Sequence, residues 1–380
     1  MFADRATSVT INVFLLSFDS ISETEMDYSV EVYLTMIWVD ERLQFHNYSE
    51  FQWLEVGTKL MESVWVPDAY FRNEKTAAFH DVTVPNRYLH LHPNGTVVYS
   101  MRLSLTLICR MDLLKYPLDT QVCPMVIQSY VYTTQNVQFL WDTNNPLTFD
   151  KEMELEQGLP QFAITKAVTE NCTAALGETT FACIRAIFTL RRDVRYYIIN
   201  VYIPSILIVV LSWVSFWLDL NATPARVSLG VLTVLTLNTH GSSVQAALPK
   251  VSYIKAIDVW TVACLIFVFA ALLEFAYVNV LARQGSKPMK NCCYCENLNN
   301  KVRTFLFLVQ FSHPINDLTR LCYKSCSEEN NIIERPKVNK QITDWREQAR
   351  KLDKVSRYAF PISFLTFNTF YWFIYIFVDL

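Results

Sequence analysis

Four apolar stretches, all after residue 195, constrain this chain more than any other feature. Residues 196–218 carry no charge and include the run VYIPSILIVVLSW. Residues 227–249 are also uncharged but rich in Ser and Thr. Residues 257–282 are apolar except for Asp258 and Glu274, and residues 358–378 are uncharged and crowded with Phe, Tyr and Trp. Each matches the ~20 residues that cross the hydrocarbon core of a bilayer. A buried helical core is the alternative, but four such lengths in one small domain would be unusual. A mean hydropathy of +0.17 fits a water-soluble part joined to a membrane part.

Charge gives the topology. Residues 1–195 hold 15 Lys+Arg and 24 Asp+Glu, a net −9, whereas residues 283–354 hold 14 basic and 8 acidic residues, a net +6. The basic segment lies between the third and fourth stretches, so the positive-inside rule places it in the cytosol and both termini outside. The chain opens Met1-Phe2-Ala3-Asp4 with no apolar leader, so an exported first half is read as a processed, mature sequence. Cys109, Cys123, Cys172 and Cys183 are the cysteines of that half, an even number. The sequons at Asn47, Asn94 and Asn171 also fall there, and together these favour an oxidising, glycosylating exterior. The sequon at Asn221 would face the cytosol and is discounted. The expected organisation is 1–195 extracellular, 196–282 three membrane helices, 283–354 a cytoplasmic loop and 355–380 the fourth helix, in a multi-pass plasma-membrane protein.

The first half reads as an antiparallel β-sandwich. Residues 9–16, 30–38, 97–107 and 184–190 look like strands; the run from Tyr28 alternates apolar and polar residues with period 2. Turns are marked at Pro67-Asp68, Pro93-Asn94-Gly95 and Asn144-Asn145-Pro146. Collagen, a small disulfide knot and long disordered tails are excluded by composition, and a basic nucleic-acid binder by the overall net charge of −3. No nucleophile elbow, phosphate loop, HExxH or catalytic carboxylate pair stands out, so no enzyme and no cofactor are expected.

The run Cys109-Arg-Met-Asp-Leu-Leu-Lys-Tyr-Pro-Leu-Asp-Thr-Gln-Val-Cys123 places Tyr116, Pro117 and Asp119 between two cysteines. With Trp65-Val-Pro-Asp68, Asn73-Glu-Lys75, Tyr202-Ile-Pro-Ser205, Pro224-Ala-Arg-Val227 and Leu248-Pro-Lys-Val-Ser-Tyr253, it resembles the Cys-loop pentameric ligand-gated ion channels, and among them the anion-selective glycine-receptor branch. The resemblance covers nearly the whole chain apart from part of the cytoplasmic loop. It implies an extracellular β-sandwich, four membrane helices, assembly with four further subunits around a central pore, and a small-molecule agonist bound between neighbouring ectodomains. It also implies disulfides Cys109–Cys123 and Cys172–Cys183.

In the second apolar stretch, Ser228, Leu232, Leu235, Thr239, Ser242 and Ala246 recur at steps of four and three, one stripe at 3.6 residues per turn. Hydroxyls on a stripe suit water better than lipid, although a polar seam between helices is the alternative. Five copies of Leu232 and Leu235 would form an apolar collar that closes by dewetting. Leu235 matches the family's gate leucine, and Leu232 stands where glycine receptors carry a threonine. Pro224, Ala225 and Arg226 open this stretch, and no acid lies between Asp219 and Asp258. A ring of Arg226 side chains is therefore expected at the inner mouth, selecting chloride. Arg226 as a helix-end lipid anchor is the alternative.

Mapped through the resemblance, Tyr33, Tyr70, Tyr130, Tyr132 and Phe181 are the aromatic positions of the ligand site, with Ser100, Arg102 and Ser129 as polar candidates. Aromatic faces attract ammonium groups and an arginine fork attracts carboxylates; ordinary sandwich core is the other reading of these aromatics. Thr35 stands where amino-acid-gated relatives place an arginine, and Leu176 where loop C carries an aromatic, so an amine or a more apolar agonist is expected. Glu23, Asp119 and Arg192 match the interfacial charge cluster, and Lys250 and Lys255 the linker between the second and third spans. Cys292, Cys293, Cys295, Cys322 and Cys326 are read as reduced or palmitoylated. His90 and His92 are read as surface histidines, with a modulatory zinc site as the alternative. No resident metal is expected. The alternative function is an accessory subunit that binds ligand but needs a partner to conduct.

Overall fold

The two inner faces of a sandwich follow directly from period-2 burial. On β1 (Thr7–Ser22), Val9, Ile11, Val13 and Leu15 are all 0% exposed. On β12 (Thr179–Arg192), Ile184, Ala186, Phe188 and Leu190 are equally sealed. The structure, a computed structural model, describes residues 6–45, 51–150, 159, 161–219, 222–246, 248–284 and 335–377. Asn47 and the five cysteines from Cys292 to Cys326 lie outside the described residues, as does the Leu176 side chain.

The chain divides into two compact units, one of Met1–Ser205, Thr239–Val262 and Tyr371–Leu380, the other of Ile206–Asn238 and Ala263–Phe370. The first holds both sheets. The remaining strands are β2 (Asp27–Val39), β3 (Leu54–Val56), β4 (Ala69–Phe71), β5 (Glu74–Phe79), β6 (Arg87–Leu91), β7 (Thr96–Ile108), β8 (Thr120–Thr133), β9 (Val137–Trp141), β10 (Leu147–Phe149) and β11 (Phe162–Leu176). The larger sheet runs β10–β1–β2–β7–β6–β3, with β5 also on β7 and β9 also on β1; the smaller runs β11–β12–β8–β4. A 3-10 turn at Glu41–Leu43 and a short helix, α1 (Thr58–Met61), interrupt the strands.

Ring packing and hydrogen bonds join the sheets. Phe18 packs edge-on against Phe188 at 5.4 Å between ring centroids. The buried Tyr28 hydroxyl donates to the Pro124 carbonyl at 2.9 Å, and burial pushes its ionisation far above the ordinary phenol range. Asn73 closes the gap between β7 and β8: its Nδ2 donates to the Ile108 and Pro124 carbonyls and its Oδ1 accepts from the Val126 N–H. The loop between these strands is clamped by a Cys109–Cys123 disulfide. Cys172 and Cys183 are direct cross-strand partners on β11 and β12 and form the second disulfide. Asn94 and Asn171 are both exposed. Asn94 sits beside Gly95, whose φ of +84° and closeness to the Asp40 carbonyl leave no space for a Cβ.

Four long helices follow among the described residues. α2 (Arg195–Trp217) includes a π segment at Ile198–Tyr202, just before Pro204, which has no N–H to give the ladder. α3 is Thr223–Ala246, α4 is Ala256–Gln284 and α5 is Arg335–Phe377. At 1.5 Å per residue α5 is about 65 Å long, so the end of the expected cytoplasmic loop, from Arg335, is helical and continuous with the fourth apolar stretch. The segments Arg195–Trp217, Ala256–Ala282 and Glu347–Phe377 are each long and apolar enough to cross a membrane. α3 is long enough but less apolar, because its hydroxyls, Asn238 and His240 replace aliphatic side chains.

Each unit packs its helix segments with small residues and rings. In the first, Trp260 Nε1 donates to Ser205 Oγ at 2.9 Å, and the Tyr202 and Tyr371 hydroxyls lie 2.9 Å apart. In the second, Phe364 packs edge-on against both Trp213 and Phe267. A Cβ on Gly230 would come within 2.6 Å of the Leu272 side chain, so glycine permits the close approach of α3 to α4 there.

Candidate functional site

The expected ligand residues fall into two groups on different sheets. Tyr70, Ser129, Tyr130, Tyr132 and Phe181 belong to β4, β8 and β12 of the smaller sheet; Tyr33, Thr35, Ser100 and Arg102 belong to β2 and β7 of the larger. In the first group, Tyr70 meets Tyr130 edge-on at 5.6 Å, and Tyr130 is 73% exposed. The Tyr132 hydroxyl accepts from Trp65 Nε1 at 3.0 Å. Ser129 is fully buried; its hydroxyl donates to Asp68 Oδ1 at 2.7 Å and accepts from the Tyr132 N–H. Asp68, the last residue of the Trp-Val-Pro-Asp run, was not marked as a site residue, yet it orders this loop. Phe181 is half-buried and opposite Thr133.

In the second group the cation is already used. Tyr33 pairs with Arg102 across β2 and β7, and Thr35 with Ser100. The Thr35 and Ser100 hydroxyls share a hydrogen bond at 2.9 Å. Arg102 donates from Nε to Glu31 Oε1 at 2.7 Å, and its Nη2 lies 2.6 Å from the same oxygen. His80 Nε2 also approaches Glu31 Oε1, at 3.1 Å. Arg102, the expected polar candidate, is therefore paired with Glu31. Glu31 lies two residues from Tyr33 on the same face of β2, a period-2 signal already legible in the sequence.

Glu23, Asp119 and Arg192 meet in one charge cluster. The Arg192 side chain is 0% exposed. Its Nε donates to Asp119 Oδ1 at 2.7 Å and its Nη2 to Asp119 Oδ2 at 3.1 Å, while Nη1 donates to Glu23. The guanidinium also lies 4.5 Å from the Tyr116 ring centre and 4.4 Å from that of Phe162. Burial alone would lower the guanidinium's ionisation, but hydrogen bonds and charge from Asp119 and Glu23 outweigh it and raise it. Burial and a 2.6 Å hydrogen bond to Tyr197 push the Tyr116 phenol upward.

The disulfide loop carrying these groups also caps a membrane helix. The first N–H groups of a helix have no partner in the helix itself. On α4, the Ala256 N–H donates to the Leu114 carbonyl at 2.9 Å and the Ile257 N–H to the Tyr116 carbonyl at 3.2 Å. The Tyr253 hydroxyl accepts from the Leu113 N–H at 3.0 Å. The Tyr116–Pro117 bond inside the loop is cis. Lys255 is ion-paired with Asp258 at 3.2 Å, whereas Lys250 is exposed. His90 stacks between Trp53 and Tyr88, and no group of three or more metal-ligating side chains occurs among the described residues.

Along α3 two faces separate. Ser228, Leu232, Leu235, Thr239, Ser242 and Ala246 are all exposed, as are Pro224 and Ala225. Arg226, Gly230, Thr233, Leu237 and Gly241 are buried on the other face. Arg226 is thus not on the stripe, which corrects the expected ring of free guanidinium groups. It is 1% exposed, and its Nη1 and Nη2 lie 3.2 and 2.9 Å from the Asp353 carboxylate of α5. The reason is spacing: Arg226 is two residues, about 200° of helix, from Ser228.

Removing Arg192 tests the charge cluster, because the change strands Asp119 and Glu23 without their cation. Arg192→Ala should cost about 3–5 kcal/mol of folding stability. Thermal unfolding of the solubilised full chain should show a clearly lowered midpoint, with Arg192→Lys in between; a midpoint equal to the parent's would show that the cluster does not stabilise the fold.

Two family models match the chain. Residues 1–194 match the neurotransmitter-gated ion-channel ligand binding domain, and residues 201–308 match the neurotransmitter-gated ion-channel transmembrane region. The disulfide-clamped loop, the two-sheet domain and the membrane helices behind it agree with that match. A ligand-gated channel architecture, typically a pentamer and not an enzyme, goes with it. The chain belongs to the neurotransmitter-gated ion-channel family.

Proposed function

We propose that this chain is a subunit of a ligand-gated anion channel of the plasma membrane, with the sandwich domain and the C-terminus outside the cell. Chloride is the permeant ion, and α3 lines the pore. The observation that carries the reading is the two-faced α3, with six exposed residues at helical spacing that mix hydroxyls with two leucines. In a ring of subunits, adjacent layers of Leu232 and Leu235, 59% and 57% exposed in the single chain, form an apolar gate that blocks ions by dewetting.

Selectivity for anions is supported by what the first turn of α3 presents. Helix N-termini carry a partial positive charge, and here Pro224 and Ala225 are exposed beside it. Neither opposes an anion, and no Asp or Glu occurs between Asp219 and Asp258. Neutralised Arg226 leaves this dipole and the missing acids, rather than a free ring of guanidinium groups, as the support for chloride.

The agonist site is read as an interface between subunits, since its two halves lie on different sheets. With Arg102 held by Glu31 and the Thr35 hydroxyl held by Ser100, little is left to attract a carboxylate. The tyrosine rings remain, each worth about 0.5–2 kcal/mol to a cation, so the agonist is an amine or a more apolar molecule. Arg192, Asp119 and Glu23 then link the sandwich to the membrane helices, with Lys250 and Lys255 in the linker before α4. The exposed Asn94 and Asn171 are read as glycan acceptors, and residues 283–354 as the cytoplasmic loop.

Expression of the chain alone, with a panel of amines and amino acids under voltage clamp, tests this. Agonist current should reverse at a potential that moves with the chloride gradient. A reversal that follows sodium would sink anion selectivity, and current that appears only with a second subunit would point to the accessory role. Leu235→Ser should give standing current without agonist, or raise agonist sensitivity about tenfold, equivalent to ~1.4 kcal/mol of closed-state stability. Unchanged gating would remove Leu235 from the gate.

A further inference from the structure

Beneath the exposed stripe, the second unit buries a charge cluster drawn from three helices. Arg226 comes from the first turn of α3, Asp353 and Ser356 from α5, and Glu274 from α4. Asp353 is 4% exposed and Ser356 5%. The Asp353 carboxylate takes both terminal nitrogens of Arg226, at 3.2 and 2.9 Å, and Arg226 Nη2 also donates to the Leu218 carbonyl. Glu274 lies within electrostatic reach of Arg226, Asp353 and Ser356, with both carboxylate oxygens sealed from solvent. Two acids therefore face one cation in a region where charges attract strongly. A pair this deep is weak evidence for stability by itself, because desolvation offsets the attraction. It does fix the position of the guanidinium.

We propose that Asp353 is a positioning residue for ion conduction: it holds Arg226 on the buried face of α3 and cancels its charge, and so sets the field at that end of the pore. This rests on α3 lining the pore, as proposed above. Asp353 is part of the continuous α5, near the start of its segment Glu347–Phe377 that is apolar enough to cross a membrane. A shift of that helix would carry Asp353 with it and change how far the Arg226 charge is neutralised. The inner field therefore follows the position of α5, a link that local sequence gives no hint of, since 127 residues separate the partners.

The test is the unitary conductance and the chloride-to-sodium permeability ratio of the assembled full-length channel. Asp353→Asn keeps the shape and removes the negative charge from every subunit. Unitary chloride conductance should rise about twofold and the permeability ratio should increase, because the cluster loses one negative charge in every subunit and repels anions less. Surface channels with unchanged conductance and unchanged ratio would overturn the proposal; a purely structural pair would lower channel number without touching either quantity. If Asp353→Asn fails to reach the surface, the exchanged pair Arg226→Asp with Asp353→Arg should restore surface channels of parental conductance. Failure of the exchange to rescue either single change would equally overturn the pairing. Should the parent channel pass sodium instead, the proposed anion selectivity falls, but Asp353→Asn should then lower conductance, so the pairing is tested separately.

Discussion

The buried Arg192 guanidinium is the interaction on which the rest depends. It sits at the end of β12, three residues before the first membrane helix begins. Asp119 brings it the disulfide-clamped loop, Glu23 brings it the turn between β1 and β2, and the rings of Tyr116 and Phe162 enclose it. The same loop offers the Leu114 and Tyr116 carbonyls to the open N-terminus of α4. One fully desolvated cation and two backbone carbonyls thereby tie three segments of the sandwich to two membrane helices. A loop closed covalently at Cys109 and Cys123 suits this task, because the cross-link restricts the conformations open to the chain between them.

α3 shows how one helix divides two tasks. Its buried face is built for closeness, with Gly230 against Leu272 and Gly241 against Thr261. Its exposed residues include six at helical spacing that are small, hydroxyl-bearing or leucine, the set that the proposed function turns toward water and other copies of the chain. The family is typically pentameric, and the proposed gate and selectivity follow from placing that face in the ring.

Much of this was legible in the sequence, and the gaps have physical causes. Strands with period-2 burial, such as those around Val13 and Ile187, announce themselves because one face must be apolar. The stripe on α3 was readable for the same reason at a different period. Pairings between residues distant in sequence were not. Arg226 looked like a free cation because its partner Asp353 is on another helix, and Arg102 looked available because the sequence does not say that Glu31 turns toward it. Asp68 and Tyr253 were missed alike: each serves by hydrogen-bonding the backbone of another segment, and periodicity carries no record of such bonds.

The central claim is that the exposed face of α3 borders the ion pathway. Single cysteines placed along α3 and treated with a charged, water-soluble thiol reagent during agonist application measure this directly. Modification that blocks current at Ser228, Leu235 and Thr239, with none at Gly230 or Leu237, is the expected pattern. Modification on the Gly230–Leu237 face, or none on the stripe, would contradict a pore lined by this helix in the orientation described.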